Sequence, residues 1–252
     1  MPKINYKKEK LTKAIRKLEE VYKRIPSTTG CMENISKEKG CNGWCCVLQN
    51  PHLLYSEFLN TLNNIMSNWT PDDILAIIEK CLQNYLSENP TKTCVFFDRD
   101  SKKCLQHGTR PLACRVYGIE PKSSYDRKLE SLRREYNDEE GLYFRNQCNL
   151  VKTEDGTNLT EEDCDKFWNE LVKIEKEIGI KGKDINDSAY GTYKTYHDHF
   201  LMYLLPDITM ENLSSVRKFG TREEKLNIVS TFINIFKDQL YKTKQNEKTE
   251  EK

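Results

Sequence analysis

The sequence predicts a mainly α-helical protein with one small β-hairpin and an irregular, cysteine-rich core that the helices wrap. Two observations support this fold class. Apolar residues recur at spacings of three and four along several long segments, which is typical of amphipathic helices. Most of the ten cysteines lie instead in stretches rich in glycine, proline and charge, where no periodicity is visible.

The N-terminal half is expected to contain three helices separated by a long loop. The first spans residues 3–25, and the second covers residues 52–66. Thr70 and Pro71 then supply an N-cap and a first-turn proline for a third helix, which ends near Ser87. The segment between the first two helices shows no periodicity of apolar residues, and it is predicted to be a loop that folds around a bound group.

A small β-hairpin is predicted where two short apolar runs flank a polar turn at residues 98–103, and Pro111 opens a helical turn after it. Thr160 and the acidic residues that follow it predict the start of another helix. The charged stretch between these elements is expected to form a solvated helix and loop. The C-terminal helices are expected at residues 160–178, 190–205 and 222–241.

Composition and charge limit the functional classes. Lys and Arg (40) nearly balance Asp and Glu (39), so the chain has no large excess of positive charge with which to bind a polyanion. Nucleic acid is therefore not expected as a partner. No apolar run approaches the roughly 20 residues of a membrane span. The charged N-terminus shows no secretory signal, so we expect a cytoplasmic protein with no membrane partner.

The cysteines fall into two groups. In a reducing compartment, a cysteine-rich chain more often binds metal or does chemistry than forms disulfides. Cys81 and Cys164 lie on apolar helix faces, where a thiol behaves as a small hydrophobe. The other cysteines lie in loops and short elements and are candidate metal ligands: Cys31, Cys41, Cys45, Cys46, Cys94, Cys104, Cys114 and Cys148.

The spacing of these candidates disfavours several kinds of centre. Zinc ribbons and fingers use CxxC pairs, and the chain contains none. A radical S-adenosylmethionine enzyme needs CxxxCxxC, but Leu48 stands where the third cysteine would be. The ferredoxin spacings are also absent. Cys45 and Cys46 are adjacent, and we do not expect them to serve one metal because neighbouring side chains tend to diverge.

Two stretches resemble a known family. "CNGWCC" at residues 41–46 and "CVFFDRDSKKCLQHGTRPLACRVYG" at residues 94–118 resemble the YkgJ-type cysteine-cluster family. Members of that family are described as zinc- or iron-chelating domains, and the family is related to the cysteine region of flagellin lysine-N-methylases. Its pattern is a CC-containing cluster, a cysteine on either side of a hairpin, RPxxCR and a late cysteine. The resemblance covers residues 31–148 and implies that these cysteines hold a metal.

Arg110 and Arg115 flank the cysteine of the RPxxCR motif. Four thiolates around Zn²⁺, or around an oxidised [4Fe-4S] core, leave a net charge of about −2 that needs nearby cations. We therefore expect both arginines to act as cofactor-binding residues. The N–H groups of the turn that Pro111 opens favour the same negative charge.

Ligand type leaves the metal open, because thiolates suit both zinc and iron–sulfur clusters. The lack of CxxC pairs favours an iron–sulfur cluster of the [4Fe-4S] type, with zinc as the alternative. Three functions follow as hypotheses, and no catalytic residue can be named for any of them. An iron–sulfur protein would serve redox or group-transfer chemistry in protein methylation or maturation, as the methylase relation implies. A structural zinc protein would bind a partner through its C-terminal helices, and a metal chaperone or redox sensor would hold its metal loosely.

The domain organisation follows from the position of the cysteines. A cysteine-cluster metal-binding domain with an N-terminal helix is expected at residues 1–150. A helical C-terminal region at residues 151–241 is expected to pack on it and to meet a protein substrate or partner. Residues 242–252 are too polar to pack and are expected to form a disordered tail.

Overall fold

The fold is taken from a computed structural model, which describes residues 8–26, 28–29, 44–47, 50–135, 137, 152–153, 156–180, 194–205 and 207–250. Most of these residues are helical, and the strands among them are two residues long. The predicted class, mainly α with a small β component, is confirmed. Of the candidate ligands, Cys31, Cys41 and Cys148 lie outside the described residues.

The elements follow one another with short strands between the helices. The helices are α1 (Lys8–Lys23), α2 (Trp44–Val47), α3 (Tyr55–Asn68), α4 (Pro71–Leu86), α5 (Leu112–Arg115), α6 (Lys122–Glu135), α7 (Glu161–Glu177), α8 (Tyr196–Leu204), α9 (Asp207–Phe219) and α10 (Arg222–Glu250). The strands are β1 (Thr28–Thr29), β2 (His52–Leu53), β3 (Phe97–Asp98), β4 (Lys103–Cys104), β5 (Lys152–Thr153) and β6 (Lys194–Thr195). They pair antiparallel as β1 with β5, β2 with β6 and β3 with β4. The predicted hairpin is the β3–β4 pair.

Local capping explains where several helices begin. In each case a threonine hydroxyl accepts a hydrogen bond from the N–H of an aspartate three residues later, which satisfies an otherwise orphaned donor. The capping threonines are Thr70 of α4, Thr160 of α7 and Thr195 of α8. α3 has a different arrangement, because the buried carboxylate of Glu175 accepts from the N–H groups of Tyr55 and Ser56 at 2.8 and 2.9 Å.

The core is built from the apolar faces of α1, α3, α4, α7 and α8. Its fully buried side chains include Leu18, Phe58, Leu82, Leu171 and Phe200. α1 packs on α7 and α3, whereas α8 and α10 pack on α4. The cysteine-bearing elements therefore rest on helices from both halves of the chain.

The structure differs from the expected elements in several places. The last helix, α10, runs to Glu250, past its expected end at residue 241 and into the segment expected to be a disordered tail. α3 begins at Tyr55 rather than at residue 52, because His52 and Leu53 pair with β6. α9 (Asp207–Phe219) was missed, and it lies between the two helices expected at the C-terminus. α10 buries Val229 and Phe236. The division of the chain into domains stays a prediction. No helix within the described ranges is both long and apolar enough to cross a bilayer.

Candidate metal centre

Cys45 and Cys46 lie on α2, a single helical turn. The Cys46 carbonyl accepts a hydrogen bond from the N–H of Cys94 at 2.7 Å, and the Val47 carbonyl accepts one from the hydroxyl of Thr93 at 3.1 Å. These bonds join α2 to the segment that leads into the hairpin. The first cysteine cluster of the sequence is thereby held against the second.

The β3–β4 hairpin carries Cys94 just before its first strand and Cys104 at the end of its second. Phe97 and Cys104 are register partners, and the N–H of Phe97 donates to the Cys94 carbonyl at 3.0 Å. Asp98 accepts hydrogen bonds from the N–H groups of Asp100 and Ser101, so it is a turn residue as expected. The hairpin therefore brings two cysteines that are ten positions apart to one end of the ladder.

Cys114 lies on α5, the helical turn that follows Pro111. The buried carboxylate of Glu57, on α3, holds this turn in place because its Oε1 atom accepts from the Leu112 N–H at 2.7 Å and from the Tyr22 hydroxyl at 2.6 Å. Its Oε2 atom accepts from the Leu54 N–H at 2.9 Å. One carboxylate thus ties α1 and α3 to the turn that carries a candidate ligand.

Arg115 braces the same turn from its other side. Its Nε atom donates to the Arg110 carbonyl at 2.8 Å, and its guanidinium donates to the Gly108 carbonyl at 2.7 Å. The guanidinium also lies over the Tyr22 ring, 4.1 Å from the centroid. Such a cation–π contact is attractive. Arg115 is therefore engaged with the backbone and with Tyr22, and its predicted role as a cofactor-binding residue stays a prediction.

The five described candidate cysteines line one cavity. Its volume is ≈ 30 Å³, above the roughly 10–15 Å³ that a cavity needs to hold one water molecule. The cavity is lined by Cys45, Cys46, Cys94, Phe96, Cys104, Gln106, His107, Arg110, Pro111, Cys114 and Tyr196.

The thiols influence one another strongly. Hydrogen bonding with Cys46 lowers the pKa of Cys45 and the pKa of Cys104. The same hydrogen bonds, the one to Cys104 foremost, raise the pKa of Cys46. Burial raises the pKa of Cys94 and that of Cys114. Forming a further thiolate here is unfavourable without a cation, and metal binding would release the protons.

Arg110 supplies one such cation at the cavity wall. Its positive charge favours the thiolate forms of Cys45, Cys104 and Cys114, in the last case against the effect of burial. Burial, followed by the charge of Arg110, lowers the pKa of His107 to about 4. His107 is therefore neutral near pH 7, and its Nε2 atom accepts a hydrogen bond from Arg110 Nη1 at 2.5 Å.

The structure corrects one expectation about adjacent cysteines. The Sγ atoms of Cys45 and Cys46 are 3.9 Å apart, so the expected divergence of their side chains is wrong. The cause is local, since a short cysteine side chain can turn its sulfur towards its neighbour by rotation about χ1. Cys81 is buried in the core and Cys164 packs partly buried against it, away from the cavity. The described cysteines are free thiols.

The cavity is not a complete coordination sphere. Among the residues that the structure describes, no group of three or more His, Cys, Asp or Glu side chains is arranged to hold a metal ion. The remaining candidate ligands, Cys31, Cys41 and Cys148, belong to the undescribed part of the chain. The described portion therefore provides a shared site for five thiols rather than a finished metal site.

Sequence reasoning missed three residues of the cavity wall. Gln106 and His107 lie between Cys104 and the RPxxCR motif, and this position beside a candidate ligand was the available signal. No sequence signal marked Tyr196 as a cavity residue, because its place in a helix-spaced series of aromatic residues indicated only a core position. It is buried, and its hydroxyl lies 3.1 Å from Oγ1 of Thr61. Only the packing of α8 on α4 and α3 brings it to the thiols.

The fold and the cavity define a class: helical proteins in which cysteines from several elements converge on one cavity. Residues 31–149 match the model of the family CxxCxxCC, described as "putative zinc- or iron-chelating domain". The match covers slightly less than half of the chain, and it confirms the resemblance to a cysteine-cluster family seen in the sequence. No curated protein and no solved structure matches the chain.

Proposed function

We propose that this protein holds an iron–sulfur cluster through thiolates of its cysteine-cluster domain. The observation that supports it most is the convergence of five thiols, from α2, the β3–β4 hairpin and α5, on one cavity. A single tetrahedral zinc ion and an iron–sulfur cluster each take four cysteine ligands, so this set suffices for either group. The absence of CxxC pairs favours the cluster. The further candidates Cys31, Cys41 and Cys148 would add to the same set.

The chemistry of the cavity wall fits such a group. Soft sulfur donors are what iron–sulfur clusters and zinc both require. The guanidinium of Arg110 offsets part of the negative charge that metal-bound thiolates retain, and Phe96 and Tyr196 add aromatic side chains to the wall. An iron–sulfur cluster, when bound, supplies electron transfer. A role in redox or group-transfer chemistry, such as protein methylation or maturation, rests on the family resemblance alone.

A single zinc ion is the second candidate, and one distance favours it. Four sulfurs at about 2.3 Å from a tetrahedral ion lie about 3.8 Å from one another. The Sγ atoms of Cys45 and Cys46 are 3.9 Å apart, which matches one edge of that tetrahedron. Zinc in this place would be structural, and the protein would act by binding a partner.

Metal analysis of protein purified without oxygen decides between the two candidates. The cluster predicts iron and acid-labile sulfide in equal amounts, with broad absorption at about 400 nm that bleaches in air. Stoichiometric zinc without iron, in a colourless protein, would overturn the cluster and support the second candidate. A full-length protein with neither metal, even after reconstitution with each, would overturn both.

A protein partner at the C-terminal helices is a separate proposal. Phe219, at the end of α9, is 82% exposed, and Leu226, near the start of α10, is 55% exposed. Large apolar side chains at such exposure are the kind of feature that a binding surface uses. Replacing both with serine should leave the metal content unchanged while abolishing complex formation. Identical self-association and partner capture by the double variant would contradict this proposal.

A further inference from the structure

Gln106 lies in the wall of the cysteine cavity and contains a buried polar atom without a partner. The residue is 3% exposed and lines the cavity together with the thiols. Its side-chain oxygen Oε1 accepts hydrogen bonds from Nδ2 of Asn64 at 2.9 Å and from Oγ1 of Thr109 at 2.8 Å. Its nitrogen Nε2 is buried and has no hydrogen-bond partner among the described residues. Because an unsatisfied buried donor costs about 1–3 kcal/mol, this atom calls for an explanation.

A chain of hydrogen bonds from the surface of α3 determines which way the Gln106 amide points. Nδ2 of Asn68 donates to the backbone carbonyl of Asn64 at 3.0 Å, and a carbonyl can only accept. The same nitrogen lies 2.9 Å from Oδ1 of Asn64, so the other terminal atom of Asn64 is its NH₂ group. That group donates to Gln106. The oxygen of Gln106 therefore faces Asn64 and Thr109, and its NH₂ group takes the remaining direction.

The other groups around the cavity leave sulfur as the natural acceptor for this donor. Arg110 is a donor itself, and Nε2 of His107 already accepts from it. Phe96 and Pro111 have no side-chain acceptor, and the Tyr196 hydroxyl is hydrogen-bonded to Oγ1 of Thr61, whereas five cysteine sulfurs share the cavity. A thiolate accepts hydrogen bonds from N–H groups, and a donor beside it offsets part of its negative charge. The NH₂ group of Gln106 is suited to that task without adding a charge.

We propose that Gln106 donates a hydrogen bond from Nε2 to a metal-bound sulfur, and that the relay from Asn68 through Asn64 holds the donor in position. Gln106 is then a positioning residue for the metal centre. Its hydrogen bond increases the affinity for metal and withdraws negative charge from the sulfur. For a cluster, such hydrogen bonds to sulfur also tune the reduction potential. The inference rests on the proposed function, because the acceptor is a sulfur of the bound centre.

Two substitutions separate this role from a purely structural one. Gln106→Glu retains the oxygen that Asn64 and Thr109 bind but replaces the donor with a second, negatively charged acceptor. Gln106→Met keeps the length of the side chain and removes all hydrogen bonding. Gln83→Met is the matched control, because Gln83 is an exposed glutamine on α4 whose amide bonds only to Glu79 four residues away. These variants differ from the wild type at one amide each.

The test measures Zn²⁺ affinity by competition with a chromophoric chelator, and the absorption spectrum after anaerobic reconstitution with iron and sulfide. We expect Gln106→Met to bind Zn²⁺ roughly 10-fold to 100-fold more weakly than wild type, as other losses of hydrogen bonds to ligands do. Gln106→Glu should bind more weakly still and shift the visible absorption. Gln83→Met should match wild type in both measurements.

The outcomes distinguish failure of this inference from failure of the proposed function. Wild-type protein that binds metal, together with Gln106→Met or Gln106→Glu of equal affinity and spectrum, would overturn the donor role and leave the metal centre intact. Tighter binding by Gln106→Glu than by Gln106→Met would also overturn it, since position 106 would then prefer a ligand. Wild-type protein that binds neither zinc nor iron would overturn both. If Gln106→Met does not fold, Gln106→Glu decides, because it preserves the bonds to Asn64 and Thr109.

Discussion

Replacing Glu57 with alanine should weaken folding and metal binding together. The carboxylate of Glu57 is 2% exposed and accepts hydrogen bonds from the Tyr22 hydroxyl and from the N–H groups of Leu54 and Leu112. Each buried donor left without its acceptor costs about 1–3 kcal/mol, so three such donors set a range of about 3–9 kcal/mol. Water that enters the vacated space can accept from these donors and recovers part of the lost free energy. We therefore expect the free energy of unfolding to fall by about 3–5 kcal/mol.

The effect on metal should have a separate origin. The bond to Leu112 anchors the start of α5, the turn that carries Cys114, so its loss should displace that thiol from the others. Displacing one ligand through its support commonly weakens a site roughly 10-fold to 100-fold. The Tyr22 ring, which contacts the guanidinium of Arg115, would lose its own anchor at the same time.

Glu175→Ala is the matched control for this experiment. Glu175 is also a fully buried carboxylate, and the N–H groups from which it accepts, those of Tyr55 and Ser56, belong to the start of α3. Urea titration of metal-loaded protein measures the free energy of unfolding, and chelator competition under native conditions measures metal affinity. Both variants should be less stable, and only Glu57→Ala should lose affinity. Equal affinity of the two folded variants would refute the assigned role of Glu57.

Three further predictions concern ligands, packing and pH. Cys104→Ala should lower metal content and solubility together, whereas Cys81→Ala should cost about 1–2 kcal/mol through a small cavity and keep the metal. Ending the chain after Gly220 removes α10 and uncovers the α4 face that Phe236 packs against, so the truncated protein should aggregate. Burial lowers the pKa of His199 to about 4, below the ordinary value of 6.5. The stability due to its neutral form is present above pH 6.5, and up to about 3 kcal/mol of it is lost as the pH falls towards 4. In His199→Gln the free energy of unfolding should therefore fall less steeply over this pH range.

Each of these predictions has a contrary result that would count against it. Metal per monomer decides the first, and a full site in Cys104→Ala beside an empty one in Cys81→Ala would contradict the ligand assignment. Light scattering decides the second, and a soluble truncated chain with unchanged metal would show that α10 is dispensable. Urea titrations between pH 4 and pH 7 decide the third, where identical acid limbs for wild type and His199→Gln would exclude His199 as the titrating group.

The local features of this protein could be predicted from the sequence alone, because each depends on residues a few positions apart. Thr70 and Thr160 cap their helices through an aspartate three residues later, and the apolar stripe that contains Cys81 identifies a buried helix face. The family resemblance likewise follows from the spacing of cysteines within one stretch of chain. Such features are set by backbone geometry and side-chain chemistry within a turn or a hairpin.

The tertiary structure alone decided which groups surround the thiols. Tyr196 and Glu57 reach the cavity or its supports from helices far away in sequence, and nothing near them in the chain marks either residue. The orientation of the Gln106 amide depends on Asn64, which belongs to α3, far away in sequence. The convergence of the Cys45 and Cys46 sulfurs depends on rotamers that spacing does not encode. The physical reason is that periodicity and capping report contacts within an element, whereas a cavity wall is made by packing between elements, which many sequence positions determine jointly.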